Sequence, residues 1–240
     1  MLFQEYDNLW IIGQAIITIL LFVNGVYLLI LARKSQIQTQ KIVYLGTSLF
    51  LLCCMIMELG YILDLYYRNF AVPPIDIFPE FASIGGPNYV YLMIVIFSSA
   101  CIPLMYPLEK VLIQSKKLWR TAIAGIAFIV LMIPVVGFSL ITDVEIRTLI
   151  AYIGIPFFAI SVISSIGGNL FFYIRLGATS PGYVRKKSWS IGFGLILTLI
   201  AIMVAFLIEG TDVFTTILSP IILTIGLWLV LRGEQMKISQ

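Results

Sequence analysis

Long apolar runs broken by short clusters of charge, proline and glycine divide the chain into seven segments, near residues 10–32, 42–66, 87–108, 118–140, 148–174, 188–208 and 213–231. At about 1.5 Å of rise per residue, each run is long enough for a helix to cross a hydrocarbon layer about 30 Å thick. No run alternates apolar and polar residues with the period of a half-buried strand. The pattern predicts an all-α membrane protein, a single transmembrane domain over residues 1–240 folded as a seven-transmembrane-helix bundle. Met1–Leu9 carries Glu5 and Asp7 and no basic start, so it does not read as a signal peptide.

The connections carry the orientation. One alternate set holds Arg33, Lys34, Lys41, Lys110, Lys116, Lys117, Arg120, Arg175, Arg185, Lys186, Lys187, Arg232 and Lys237; the other set holds only Arg68 and Arg147. Basic residues accumulate on the cytoplasmic side, so the N-terminus is expected outside and the C-terminus inside, in a multi-pass protein of the plasma membrane. The longest connection, residues 68–86, mixes Pro73, Pro74, Pro79, Gly85 and Gly86 with apolar residues. Proline cannot continue a helix, and the segment reads equally as a lid on the membrane face or as a linker.

Inside the runs, one acidic side chain stands out. Glu58 lies in Cys53-Cys54-Met55-Ile56-Met57-Glu58-Leu59-Gly60-Tyr61, about 12 Å below the outer end of its span. A charge in hydrocarbon is costly, so such a residue faces a bundle interior, a cavity or a partner. No lysine or arginine shares its depth. The low dielectric disfavours the anion, and the expected state is a protonated carboxyl, either structural or facing a ligand. Pro134, Pro156 and Pro220 stand six to eight residues from the outer ends of their spans, and Ser98 and Ser99 lie near the depth of Glu58. Kinks at these prolines would open an outward-facing cavity. Its candidate ligand-binding residues are Glu58, Ser98, Ser99, Tyr61, Tyr91 and Tyr152. Cys53, Cys54 and Cys101 all fall in apolar runs and are expected as free thiols at helix contacts. The polar residues Gln14 and Asn24 of the first run are expected to hydrogen-bond between helices. So are the small residues of Ser164-Ser165-Ile166-Gly167-Gly168 and Gly192 and Gly194 expected as close-packing positions.

Composition narrows the chemistry. Hydrophobic residues make up 60% of the chain and charged residues 11%, against about 45–50% and about 25% in soluble domains. A net charge of +3 gives no reason to expect nucleic acid. The chain has no histidine, which removes histidine-ligated haem, histidine-zinc sites and histidine-activated nucleophiles. No metal site, cofactor or enzymatic activity is expected. Membrane lipid is an expected partner, and the basic connections, with Lys116, Lys117, Arg185, Lys186 and Lys187, suit a cytoplasmic signalling partner.

Seven helices in this orientation resemble the rhodopsins and G-protein-coupled receptors in topology. The seventh run holds no lysine to carry retinal, and all eight lysines fall outside the runs. The third run ends Tyr106-Pro107-Leu108-Glu109-Lys110 rather than in an Asp-Arg-Tyr motif, and the seventh lacks Asn-Pro-x-x-Tyr. The length and orientation also resemble the SWEET sugar transporters, without their matching prolines in two repeats. The whole chain resembles archaeal and bacterial seven-helix membrane proteins, some of which form the sensor halves of histidine kinases. That resemblance implies a sensor or receptor-like protein that binds a small ligand from outside and signals through a separate partner. The alternatives are a small secondary transporter or channel subunit, suggested by the intramembrane carboxylate, and a structural or assembly subunit.

Overall fold

A computed structural model describes residues 2–69, 88–114, 116–136, 144–207 and 213–235. Every regular element among them is helical: α1 (Leu2–Lys34), α2 (Gln38–Asn69), α3 (Asn88–Pro107), α4 (Trp119–Val136), α5 (Val144–Val162), α6 (Gly168–Thr179), α7 (Gly182–Leu207) and α8 (Val213–Gln235). A π-helical turn, Leu108–Leu112, extends α3, and a second, Ile163–Gly167, joins α5 to α6. By length and composition four stretches among the described residues are able to cross a membrane: Ile11–Lys34, Gln38–Gly60, Ile94–Val111 and Tyr152–Thr179. Trp119–Pro134 and Leu218–Gly233 are shorter apolar helices. Most of the 68–86 connection, read as a lid or linker, lies outside the described residues.

Many large apolar side chains lie on the surface, and several small polar ones are buried among the apolar core. Ile163 is 71% exposed and Phe171 67%, whereas Ser48, Ser98 and Ser165 are fully buried. Apolar exposure on this scale is a solubility liability in water and the ordinary state of a surface that meets lipid.

Helix ends follow local chemistry. Ser180 precedes a proline and sits in the extended region at φ −94° and ψ 143°, which stops α6. Gly182 then takes φ +60°, a conformation glycine adopts freely, and α7 begins. Residues 175–187, expected as a connection, are therefore helical except at Ser180–Pro181, and Arg185, Lys186 and Lys187 occupy the first turns of α7.

The helices pack as two compact units, residues 21–165 and residues 1–20 with 166–240. In the first, α2 and α3 run antiparallel. A Cβ at Gly46 would strike the Pro103 carbonyl oxygen and the Pro107 ring, so only glycine permits this approach. The Ser48 hydroxyl donates to the Gly25 carbonyl at 2.7 Å, tying α2 to α1. Val95 and Leu131 form a core with Phe128, Met132 and Phe158, and the rings of Phe50, Phe97 and Phe158 meet edge to face at 6.1 and 6.2 Å.

In the second unit α7 and α8 are antiparallel. The Ser190 hydroxyl donates to Leu229 O and the Ser219 hydroxyl to Ala201 O, each at 2.8 Å. Between these two bonds, a Cβ at Gly194 would lie 2.6 Å from the Gly226 carbonyl oxygen. Glycine thus sets the helix separation, as small residues do at membrane helix interfaces. Gly192 meets Tyr173 and Ile174 of α6 at ordinary contact distance.

Candidate functional site

Glu58 sits on α2 and is 2% exposed, inside the stretch Gln38–Gly60. One turn earlier on the same face, Cys54 is also buried, and it lies within electrostatic reach of both Glu58 and Cys101 of α3. A hydrogen bond links Cys53 to Ser99, and another links Cys101 to Ser165 in the π turn after α5. Ser99 donates onward to Ile96 O at 2.6 Å, and Ser165 to Val162 O at 3.2 Å. A seam of small polar side chains therefore crosses α2, α3 and the Ile163–Gly167 turn. All three thiols are free.

Ser98 precedes Ser99 on α3 and lies three residues before Cys101. It is fully buried, and its hydroxyl has no hydrogen-bond partner among the described residues. A buried hydroxyl normally has one. Cys53 of α2 faces Ser99 of α3; Glu58 lies five residues further along α2, about 7.5 Å by helical rise. α2 and α3 thus carry a buried carboxyl, Glu58, and a buried hydroxyl, Ser98, without a partner among the described residues.

The remaining candidates scatter. Tyr152 is 49% exposed on the outside of α5. The side chains of Tyr61 and Tyr91 lie outside the described residues. Pro134 is buried in α4, Pro156 is exposed on α5, and Pro220 is buried in α8 of the other unit. Gln14 is buried, but its side-chain carbonyl makes no hydrogen bond among the described residues, in contrast to the expected interhelical bond.

The structure adds a second buried carboxylate. Glu109, in the π turn after α3, is 3% exposed. One oxygen accepts from the Arg120 amide at 2.8 Å; the other accepts from the Thr121 amide at 2.9 Å and the Thr121 hydroxyl at 2.7 Å. Those amides are unpaired donors of the first turn of α4, where negative charge also meets the positive end of the helix dipole. The signal was available: Lys117-Leu118-Trp119 places no serine, threonine, aspartate or asparagine where an N-cap is needed, so the acceptor must come from elsewhere. Glu109 is thus a structural acid.

Glu58 and Ser98 are buried polar groups on neighbouring helices of one unit. The arrangement suits hydrogen bonding to, or charge recognition of, a small molecule; among the described residues no cluster of cysteine and carboxylate ligands is placed to hold a metal. No protein family matches the sequence, and no curated protein or solved structure matches it.

Proposed function

We propose that the chain is a seven-span plasma-membrane sensor, N-terminus outside and C-terminus inside, that binds a small ligand from the outer side at Glu58 and signals through a separate partner. The observation that carries this reading is the buried carboxyl of Glu58 on α2 together with the buried Ser98 hydroxyl on α3, which has no hydrogen-bond partner among the described residues. Both cost stability in a packed apolar interior unless a ligand uses them. A carboxyl without a basic side chain at its depth selects cationic or hydrogen-bond-donating ligands, and the apolar walls favour compact ones. The exposed Lys116 at the basic connections suits a signalling partner on the inner side.

Tetraalkylammonium ions from methyl to butyl test the site. One member of the series is expected to raise the melting temperature of the wild type in detergent by about 5 °C or more at saturation. Glu58→Gln keeps the shape of the side chain and is expected to fold normally but lose the rise. Equal shifts in both proteins, or none in either, would remove Glu58 from ligand binding. A secondary transporter is the second reading, favoured by the π turn that places Ser165 against Cys101, since such irregularities recur at functional sites. Uptake driven by a proton gradient in proteoliposomes would select it over a sensor.

A further inference from the structure

The unit containing α7 and α8 carries a groove that ligand recognition at Glu58 does not use. It has a volume of about 940 Å³, at the upper end of the range of small-ligand sites, about 300–1,000 Å³. Its composition is graded along the helix. Arg185 and Lys186 of α7 and Arg232 of α8 line one end, and Trp189, Phe193 and Leu197 continue away from them. Arg185, Trp189, Phe193 and Leu197 are spaced by four residues, so they share one face of α7. The lining contains three cations and no acid.

We propose that this groove is a binding site for an anionic phospholipid, with the phosphate held by Arg185, Lys186 and Arg232 and an acyl chain lying along Trp189, Phe193 and Leu197. Arg185 to Leu197 spans about 18 Å of helix, against about 15 Å for the hydrocarbon of one leaflet. The cations therefore stand at headgroup level when the chain lies in the leaflet. Aromatic support fits the same depth: the Trp189 and Phe193 rings stack at 5.2 Å, and the Arg232 guanidinium lies 5.1 Å from the Trp228 ring. Tryptophan and arginine are both at home at a headgroup boundary. The groove floor is tied by the Ser190–Leu229 hydrogen bond, so it is formed by two helices whose register is fixed.

Charge and shape together select the occupant. Three cations without a nearby lining acid favour an anionic headgroup over a zwitterionic one. Free phosphate would satisfy the cations and leave the apolar wall unused, and an acidic peptide would have to enter hydrocarbon to reach Phe193. The assignment to the inner leaflet rests on the proposed orientation; the binding itself does not, because it can be read in detergent.

Native mass spectrometry of the full chain in neutral detergent is the test, with dioleoyl phosphatidylglycerol, dioleoyl phosphatidylcholine and glycerol phosphate as probes. The wild type is expected to retain phosphatidylglycerol about tenfold or more better than phosphatidylcholine, and glycerol phosphate is expected not to displace it. The triple variant Arg185→Gln, Lys186→Gln, Arg232→Gln is expected to lose that preference. Lys34→Gln, Lys41→Gln, Lys116→Gln, which removes the same charge elsewhere, is expected to keep it. Equal retention of both lipids, retention by the first variant, loss in the second, or displacement by glycerol phosphate overturns the proposal. A measurement on protein with the groove cations intact guards against misfolding of the triple variant. Phosphatidylglycerol with brominated chains is expected to quench the part of the tryptophan emission that Trp189→Phe removes, and equal quenching by brominated phosphatidylcholine counts against the site.

Discussion

Glu109→Ala is expected to lower the melting temperature of the detergent-solubilised protein by about 4–8 °C. The carboxylate accepts two amides and a hydroxyl at the start of α4, at 2.8, 2.9 and 2.7 Å. Loss of a helix N-cap costs about 0.5–2 kcal/mol. Here the upper end applies, because the acceptor is charged and 3% exposed, and charged hydrogen bonds contribute about 1.5–3 kcal/mol. About 2 kcal/mol in a chain of this size corresponds to the temperature shift given. The effect extends beyond one helix end, since the same side chain closes the connection between the π turn Leu108–Leu112 and Trp119. Glu109→Gln keeps one acceptor oxygen and should fall between wild type and alanine. A Glu109→Ala protein that melts with the wild type would show that water replaces the carboxylate at no cost.

Glu58→Lys should do more damage. The substitution puts an ammonium group at a position 2% exposed within an apolar stretch, and insertion scales charge a central lysine about 2.5–3.5 kcal/mol. The lysine stem cannot bring its charge to the surface without leaving the seam beside Cys54. The expected result is a large loss of protein from the membrane fraction and a lower melting temperature in what remains. Glu58→Gln, neutral and of the same shape, should match the wild type in both. The pair separates charge from packing: if glutamine also destabilises, the anion itself is needed and an inner basic side chain has been drawn to it.

Helix-forming runs and their polarity were legible because a membrane helix announces itself by length and hydropathy. Glu58 was legible because it is an acid well inside such a run, whereas Asp64 stands near its end. What the sequence hid has one physical source. Helices that are apolar on every side carry no periodic stripe, so spacing does not say which face is buried. Tyr152 points outward and Ser98 inward, and both look alike as polar residues in apolar text. The partnership of Cys101 with Ser165 joins residues on different helices and depends on a π turn, which leaves no local signature in Ile163-Ser164-Ser165. Arg175 to Lys187 misled for the opposite reason: charges, Pro181 and Gly182 look like a loop, yet long basic side chains let a helix run past the hydrocarbon into the headgroups. The Gly194–Gly226 approach is half visible in the sequence, since Gly192 and Gly194 stand together as small residues while Gly226 is isolated in its run.

Outward access to Glu58 and the inner-leaflet placement of the lipid groove both require that alternate connections lie on opposite sides of one bilayer. Cysteine accessibility measures this most directly. In a background with Cys53, Cys54 and Cys101 replaced by alanine, single cysteines at Lys117 and Lys186 are treated in intact cells with a membrane-impermeant maleimide. Both positions should stay unlabelled until the membrane is opened, while a cysteine in place of Arg68 labels from outside at once. Labelling of Lys117→Cys from outside in intact cells would contradict the orientation, and with it the outward access to Glu58.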